Sequence, residues 1–245
     1  MRHKVAVYIP TYRQLTVWHS RSLDAAMKNS QTCQFMVVPS HGDTLIARVR
    51  NWHLHHFLTQ SKADFYVQIS DDIEILNRTA DNNAFDRFVA HDLPFVGAIY
   101  APSADSPNKP HTSRLLPGVH ADYNCGLIEV RWLSGGLWML RRDTVQAIRD
   151  KYWDETCIES VFDDGMMAGL CCEFRHGEDE KRVWLSEDYA LCERWHQMGG
   201  KIFADTAIAL LHWGYHGFSI PGWPRSARQL APLNSAGVEG EEAKP

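Results

Sequence analysis

The chemistry-bearing residues of this chain are mostly acidic, and they sit where apolar runs stop. Residues 65–69 (Phe-Tyr-Val-Gln-Ile) lead directly into Ser70, Asp71 and Asp72. An apolar run of that length is a buried strand, and ligand crevices form at the carboxyl ends of strands in open α/β sheets. Adjacent carboxylates repel, and their charge costs free energy unless a cation compensates. A hard divalent cation carrying phosphate oxygens is the commonest natural solution. An acidic turn after a strand is the alternative that the tripeptide leaves open. A second acidic pair, Glu187-Asp188, follows Ser186 at the start of an expected helix, where the helix dipole favours ionised carboxylates. There a carboxylate is either a dipole-complementing acid or a general base towards a hydroxyl. His212 ends the apolar stretch 208–211 and becomes a metal-ligand candidate if its strand end reaches Asp72.

Polar companions accompany these acids. In a helix expected from Asp43 to about residue 60, Ala47, Asn51, Leu54 and Leu58 share one face, as helical spacing requires. Asn51 is then a buried amide that needs partners, with Arg48 one turn before it. We read both as facing the Asp72 crevice, towards ribose or phosphates, with a structural hydrogen bond as the alternative; Arg50 is read as pointing elsewhere. His53, His55 and His56 diverge around the same helix and are read as structural. Ser134-Gly135-Gly136 marks either a close backbone approach or a simple bulge.

The elements that must position these groups alternate. Strands at 5–9, 33–38 and 65–69, with helices at 17–28 and 43–60 between them, predict a right-handed parallel α/β sheet. A helix near 85–90, a strand at 95–100, a long loop at 102–125 and a strand at 127–133 follow. Asp143 is read as capping a helix to about residue 152, and 153–184 as a mobile segment. A helix from Ser186 stops at Gly199-Gly200, and strands at 202–203 and 208–213 close the fold. From residue 235 the tail is too poor in apolar residues to fold.

Composition narrows the class. The chain has 245 residues, 44% of them hydrophobic and 22% charged, enough for a sizeable core. Its apolar runs are too short to span a membrane, and the opening residues lead into a strand rather than a signal peptide. The six cysteines lack zinc-finger or CxxC spacing and read as free thiols in a reducing compartment. A net charge of −5 supplies no general attraction for nucleic acid.

Taken in order, the Pro10-Thr11-Tyr12 turn, the Arg48-x-x-Asn51 helix, Ser70-Asp71-Asp72, Ser134-Gly135-Gly136, Glu187-Asp188-Tyr189 and His212-Trp213-Gly214 form a pattern. It resembles the GT-A fold glycosyltransferases, particularly small bacterial and phage-encoded members, over roughly residues 4–218. The resemblance implies one α/β domain over 1–224, with a Rossmann-like, mostly parallel central sheet flanked by helices and a smaller acceptor-side sheet. Residues 225–245 would be a C-terminal extension, disordered towards its end. Pro10, Thr11 and Tyr12 would line the base and ribose pocket, and Arg48, Asn51 and Asp71 would help to hold the nucleotide. Asp72 matches the last carboxylate of the family's metal-binding motif, whose first position is Ser70 here, and His212 matches its histidine ligand. Gly135 and Gly136 would lie beneath donor sugar and acceptor. Glu187 and Asp188 would supply the catalytic base, Asp188 first.

The implied cofactor is Mn²⁺ or Mg²⁺ and the implied partner a nucleotide-sugar donor. The acceptor is open: a glycan, a small molecule or, through Arg13, Arg21, Arg141, Arg142, Arg225 and Arg228, a hydroxymethylated pyrimidine in DNA. The segment 153–184 would close over the donor, and the expected location is the cytoplasm, that of the host if phage-encoded. Two rival readings are a metal-dependent phosphohydrolase or nucleotidyltransferase using Asp71 and Asp72, and a catalytically silent sugar-nucleotide or glycan-binding module.

Overall fold

A computed structural model describes residues 2–11, 15–38, 43–102, 111–120, 126–162, 165–172, 174–176, 183–214 and 217–218. Its first half reads β1 (His3–Tyr8), α1 (Val17–Asn29), β2 (Cys33–Val38), α2 (Ile46–Thr59), β3 (Phe65–Ile69), β4 (Ile73–Ile75), α3 (Ala84–His91) and β5 (Phe95–Gly97). The second half continues with β6 (Arg114–Leu115), β7 (Leu127–Trp132), β8 (Leu137–Arg141), α4 (Arg142–Thr156), β9 (Cys157–Glu159) and β10 (Met166–Ala168). It ends with β11 (Phe174–His176), β12 (Val183–Leu185), α5 (Glu187–Gln197), β13 (Ile202–Asp205), β14 (Leu210–Trp213) and β15 (Gly217–Phe218).

The central sheet runs in the order β2-β1-β3-β8-β5-β13-β7-β6. β1 pairs in parallel with β2 and β3, and β13 does so with β5. β8 inserts antiparallel between β3 and β5, and β7 runs against β13. A smaller antiparallel sheet, β15-β14-β4, stands at the carboxyl end of β3. This is the α/β architecture that the GT-A resemblance implies. Several elements depart from expectation. The sequence reading placed no strand at β8, at β4 or, within the 102–125 loop, at β6; a five-residue apolar run such as Leu137–Arg141 is ambiguous between strand and buried helix. The described parts of 153–184 are the end of α4 and the short antiparallel pairs β9–β10 and β11–β12. The 225–245 extension lies outside the described residues. No described helix is long and apolar enough to cross a membrane.

Alternation along the strands builds a core on each face of the sheet. Ala6, Tyr8, Tyr66, Trp138 and Leu140 pack with Leu54 and Phe57 of α2, Ile148 of α4 and Leu191 of α5. Val5, Val7, Val67, Val96 and Met139 pack with Leu23 of α1 and Phe85 and Phe88 of α3. Successive residues of each strand therefore point into opposite cores, as a sheet covered on both faces demands. α1 is capped by Thr16, whose hydroxyl accepts from His19 N at 3.1 Å. Asn83 caps α3, and its amide donates to Ala26 O at 2.7 Å, tying α3 to α1.

One buried charge holds α3 to the sheet. Asp205 on β13 is fully buried and takes Arg87 Nε and Nη2 at 2.9 and 3.0 Å, with His91 Nε2 at 2.8 Å. Burial pushes its carboxyl towards the neutral form, but the bonds from Arg87 and His91 outweigh that and hold it below the usual carboxylate range. A depressed folded pKa contributes stability above the unfolded value of about 3.9, lost as pH falls through the folded one. Asp205→Asn should cost about 2 kcal/mol at pH 7. Urea unfolding at pH 7 and pH 3 checks this: the gap to the unsubstituted chain should shrink at pH 3, where this carboxyl is already largely protonated in the unfolded chain.

Candidate active site

The candidate site lies where β3, the β3–β4 turn, the 134–136 segment and the start of α5 converge, and the backbone of Gly135 links them. Gly135 O accepts from Ser70 Oγ at 2.9 Å, and from Gln68 Nε2 and Arg50 Nη2, each at 3.3 Å. Gly135 N donates to Asp188 Oδ2 at 2.9 Å. Ser70 N donates to Gly136 O at 2.9 Å, continuing the β3–β8 pairing past the strand end. Ser70, at the first position of the acidic motif, therefore faces inward to a backbone carbonyl.

The two glycines are cradles for side chains. A Cβ on Gly135 would lie 2.1 Å from Arg50 Nη2, and one on Gly136 would lie 2.3 Å from the Tyr100 ring. Any larger residue at either position must displace the side chain occupying its space. Arg50 fills the first space with a side chain only 3% exposed, and its Nη1 donates to Glu187 Oε1 at 2.7 Å. The sequence reading thus has the α2 arginines reversed. Arg48 pairs with Asp43 outside the helix start, with 39% of its side chain exposed, and Arg50 reaches the site. Asn51 is buried, yet its Oδ1 accepts from Cys171 N at 2.6 Å and its Nδ2 donates to Cys172 Sγ at 3.4 Å. It fixes the backbone after β10, the structural alternative for this residue.

Asp72 and His212 meet. The ring Nε2 lies 3.0 Å from Asp72 Oδ2 and Nδ1 lies 3.0 Å from Ala101 O. Antiparallel pairing of β4 with β14 brings them together, and Trp213 N donates to Asp72 O at 2.8 Å. Burial disfavours the imidazolium, but the bond and charge of Asp72 and the Ala101 carbonyl prevail and raise the His212 pKa. Both ring nitrogens face oxygen acceptors, so this ring is either doubly protonated or presents Nε2 to a cation beside Asp72. Asp71 turns away to bond Thr11; burial, aided by the neighbouring Asp72 charge, pushes its carboxyl above the usual range. Pro10 is buried just after β1, and Tyr12 lies outside the described residues.

Across the glycines, Asp188 accepts from Gly135 N, from Ser186 Oγ and from Tyr189 N. Three of the roughly four lone-pair directions of a carboxylate are occupied in this way, which fixes its orientation. Tyr100, absent from the sequence reading, bridges the two halves. Its ring packs edge-on to His212 at 5.2 Å and occupies the space beside Gly136. Burial raises its phenol pKa well above the ordinary value, reinforced by the charge of Asp188. The hydroxyl therefore stays neutral at physiological pH, and its side-chain hydrogen bond is with Thr112. A tyrosine ending an apolar run looks like core in sequence, and only the paired glycines hinted that a large side chain was being accommodated.

Among the described residues, no cluster of three or more His, Cys, Asp and Glu side chains surrounds a metal-sized space. One carboxylate and one imidazole do fit Mn²⁺ or Mg²⁺, ions that take the rest of their shell from substrate phosphates and water. The arginines suggested for DNA contacts are partly committed elsewhere. Arg141 pairs with Asp143 at 2.7 Å, and Arg142 donates to Ala63 O at 2.7 Å and Phe57 O at 2.9 Å; Arg13, Arg225 and Arg228 lie outside the described residues.

No protein-family model matches the chain, and no curated protein matches it. Its fold is similar to the crystal structure of A197 from STIV, with a TM-score of 0.52, 12% identity and coverage of 87% of this chain and 86% of that one. Less similar is a mutant Drosophila β-1,4-galactosyltransferase 7 in complex with manganese, UDP-Gal and xylobiose (TM-score 0.44, 14% identity, 96% and 82% covered). So is a glycosyltransferase involved in glycosylation of the major capsid of PBCV-1 (TM-score 0.34, 10% identity, 61% and 65% covered).

Gly135→Ala should destabilise the chain by about 2 kcal/mol, because Arg50 is pinned by Glu187 and cannot yield. Adding Arg50→Ala empties the contested space. A double-mutant cycle followed by urea unfolding should therefore show the pair costing less than the two single changes combined; simple additivity would contradict the cradle.

Proposed function

We propose that this chain is a metal-dependent glycosyltransferase that moves a sugar from a nucleotide-diphosphate sugar to an acceptor hydroxyl. The observation that carries the reading is that Tyr100 packs on His212, the partner of Asp72, and against Gly136, whose neighbour Gly135 holds Asp188, so that the charges of Asp188 and Asp72 both act on one phenol. In this reading Asp72 and His212 hold Mn²⁺ or Mg²⁺, which supplies the positive charge that offsets a departing diphosphate. Pro10 and Thr11 line the base and ribose side, and Asp71, bonded to Thr11, belongs to that side rather than to the metal.

Asp188 is the base. An acceptor hydroxyl attacking the anomeric carbon gives its proton to a carboxylate already oriented by Gly135 N and Tyr189 N. Glu187 is committed to Arg50 and acts in orienting that guanidinium, so the acidic pair divides into one base and one anchor. Tyr100 packs its ring against His212 and Gly136 and excludes water from that space. Asn51 acts at one remove, by holding the backbone after β10. Among rival chemistries, a two-metal phosphohydrolase needs a second carboxylate at the metal, and the Thr11 bond of Asp71 argues against that.

Thermal unfolding in a panel of UDP-, GDP-, CMP- and dTDP-sugars, with and without Mn²⁺, tests the reading. One donor should raise the melting temperature by about 5 °C or more at saturating concentration, only with the metal, and Asp72→Ala should abolish the shift. A donor shift that survives in Asp72→Ala, or the absence of any donor shift, contradicts it.

A further inference from the structure

The strand that follows Asp72 is completed on one side by a helix. β4 stands at the edge of the three-stranded sheet, and β14 is its strand partner. Alternate residues face β14: Asp72 O accepts from Trp213 N at 2.8 Å, and Leu76 N donates to Ala209 O at 3.1 Å. The intervening residues Asp71, Ile73 and Ile75 turn their backbone groups the other way, as antiparallel pairing requires. No described strand meets them there. Three polar side chains of α1 do.

Thr16 Oγ1 donates to Asp71 O at 3.4 Å, His19 Nδ1 donates to Ile73 O at 3.0 Å, and Ser22 Oγ accepts from Ile75 N at 3.1 Å. Spaced three apart, these residues share one face of the helix. They also brace one another. The Thr16 hydroxyl accepts from His19 N at 3.1 Å, and the Ser22 hydroxyl donates to His19 O at 3.0 Å. His19 and Ser22 are fully buried, as are Ile73 and Ile75. A carbonyl oxygen only accepts, so Nδ1 of His19 carries a proton whatever the charge on the ring. Packing alone would be served by an apolar residue, as at Leu23 and Ala26 of the same helix; histidine adds a donor to a buried carbonyl that is costly to leave unmet.

Ile73 is the residue that links the metal pair. It follows Asp72 directly, and in the antiparallel register it lies opposite His212. A shift of Ile73 would therefore move the carboxylate and the imidazole relative to each other. The adjacent charges of Asp71 and Asp72 repel and act to open the turn, and β4 is only three residues long. Relying on the metal-dependent reading of Asp72 and His212, we propose that His19 is a positioning residue for that pair, which by holding Ile73 keeps carboxylate and imidazole facing each other before an ion arrives. Thr16 and Ser22 hold the chain at the two flanking positions. With two protein ligands, metal affinity depends on their relative placement, and groups that hold ligands from behind change it by about tenfold or more.

His19→Leu removes the donor at similar volume, His19→Asn returns an N–H near the Nδ1 position, and Ser22→Ala removes one flanking bond. Each is compared with the unsubstituted full chain by melting temperature and by amide hydrogen exchange followed by NMR. Mn²⁺ affinity is read from the EPR signal of the free ion, without and with UDP-, GDP-, CMP- and dTDP-sugars. In His19→Leu the Trp213 amide, which donates to Asp72 O, should lose about tenfold more protection than the Val67 amide of β3, and Mn²⁺ affinity should fall about tenfold. His19→Asn should restore most of both. Ser22→Ala should weaken Mn²⁺ binding by a smaller factor. Equal loss of protection at Trp213 and Val67, or Mn²⁺ that binds equally well to His19→Leu, overturns the proposal. Mn²⁺ affinity that Ser22→Ala leaves unchanged overturns it even where His19→Leu does not fold. His19-dependent protection of Trp213 with no Mn²⁺ uptake under any of these conditions leaves the clamp on Ile73 standing and removes the metal reading alone.

Discussion

The backbone of Gly135 is the constraint on which the rest of the site depends. Its carbonyl accepts from α2 and β3, and its N–H donates to Asp188 at the start of α5. Three elements are thus registered to the two peptide groups that flank one glycine. The cost is paid in side-chain identity, because a Cβ here would overlap the guanidinium of Arg50. Arg50 is nearly sealed from solvent, and a buried cation of that kind requires an anion; Glu187 supplies it. The glycine, the arginine and the glutamate are therefore one device, and its product is the fixed orientation of the neighbouring Asp188.

A second constraint is electrostatic. The β3–β4 turn carries two adjacent carboxylates, and the structure separates their tasks. Asp71 turns back towards Thr11 while Asp72 faces an imidazole whose other nitrogen is already committed to Ala101 O. The chain thus brings a carboxylate and a ring nitrogen to hydrogen-bonding distance with no third His, Cys, Asp or Glu grouped with them among the described residues, an arrangement suited to an ion that takes part of its shell from a substrate. Ser70 fits this division. A carboxylate in its place would point its charge at the carbonyl oxygen of Gly135, where the hydroxyl donates a hydrogen bond instead.

Much of this was legible in the sequence, and the misses have physical causes. β1, β3 and the acidic turn followed from apolar runs stopped by polar residues, whereas the encounter of Asp72 with His212 was left open by the residues and came only with the family resemblance. β8 was not legible as a strand, since Leu137–Arg141 is a short apolar run caught between the Ser134-Gly135-Gly136 turn and the helix that begins at Arg142. The α2 arginines were exchanged because stripe logic assumes one buried face. In α2, Val49, Arg50, Asn51, Trp52, His53 and Leu54 are all buried, so the helix is covered nearly all round and a 3.6-residue stripe no longer separates inside from outside. Tyr100 was invisible for a related reason: an aromatic side chain at the end of an apolar strand reads as packing until the glycine opposite it is seen to yield its space.

The central claim is that the two halves of the site act on one bond, with Asp72 and His212 on the leaving diphosphate and Asp188 on the attacking hydroxyl. Product analysis of nucleotide sugars incubated with the full chain and Mn²⁺ tests this most directly, with water serving as the acceptor where no sugar is supplied. The account predicts release of the intact nucleoside diphosphate from one donor, slowed about a hundredfold or more by Asp188→Asn. Release of inorganic phosphate or nucleoside monophosphate, or diphosphate release indifferent to Asp188→Asn, would contradict it.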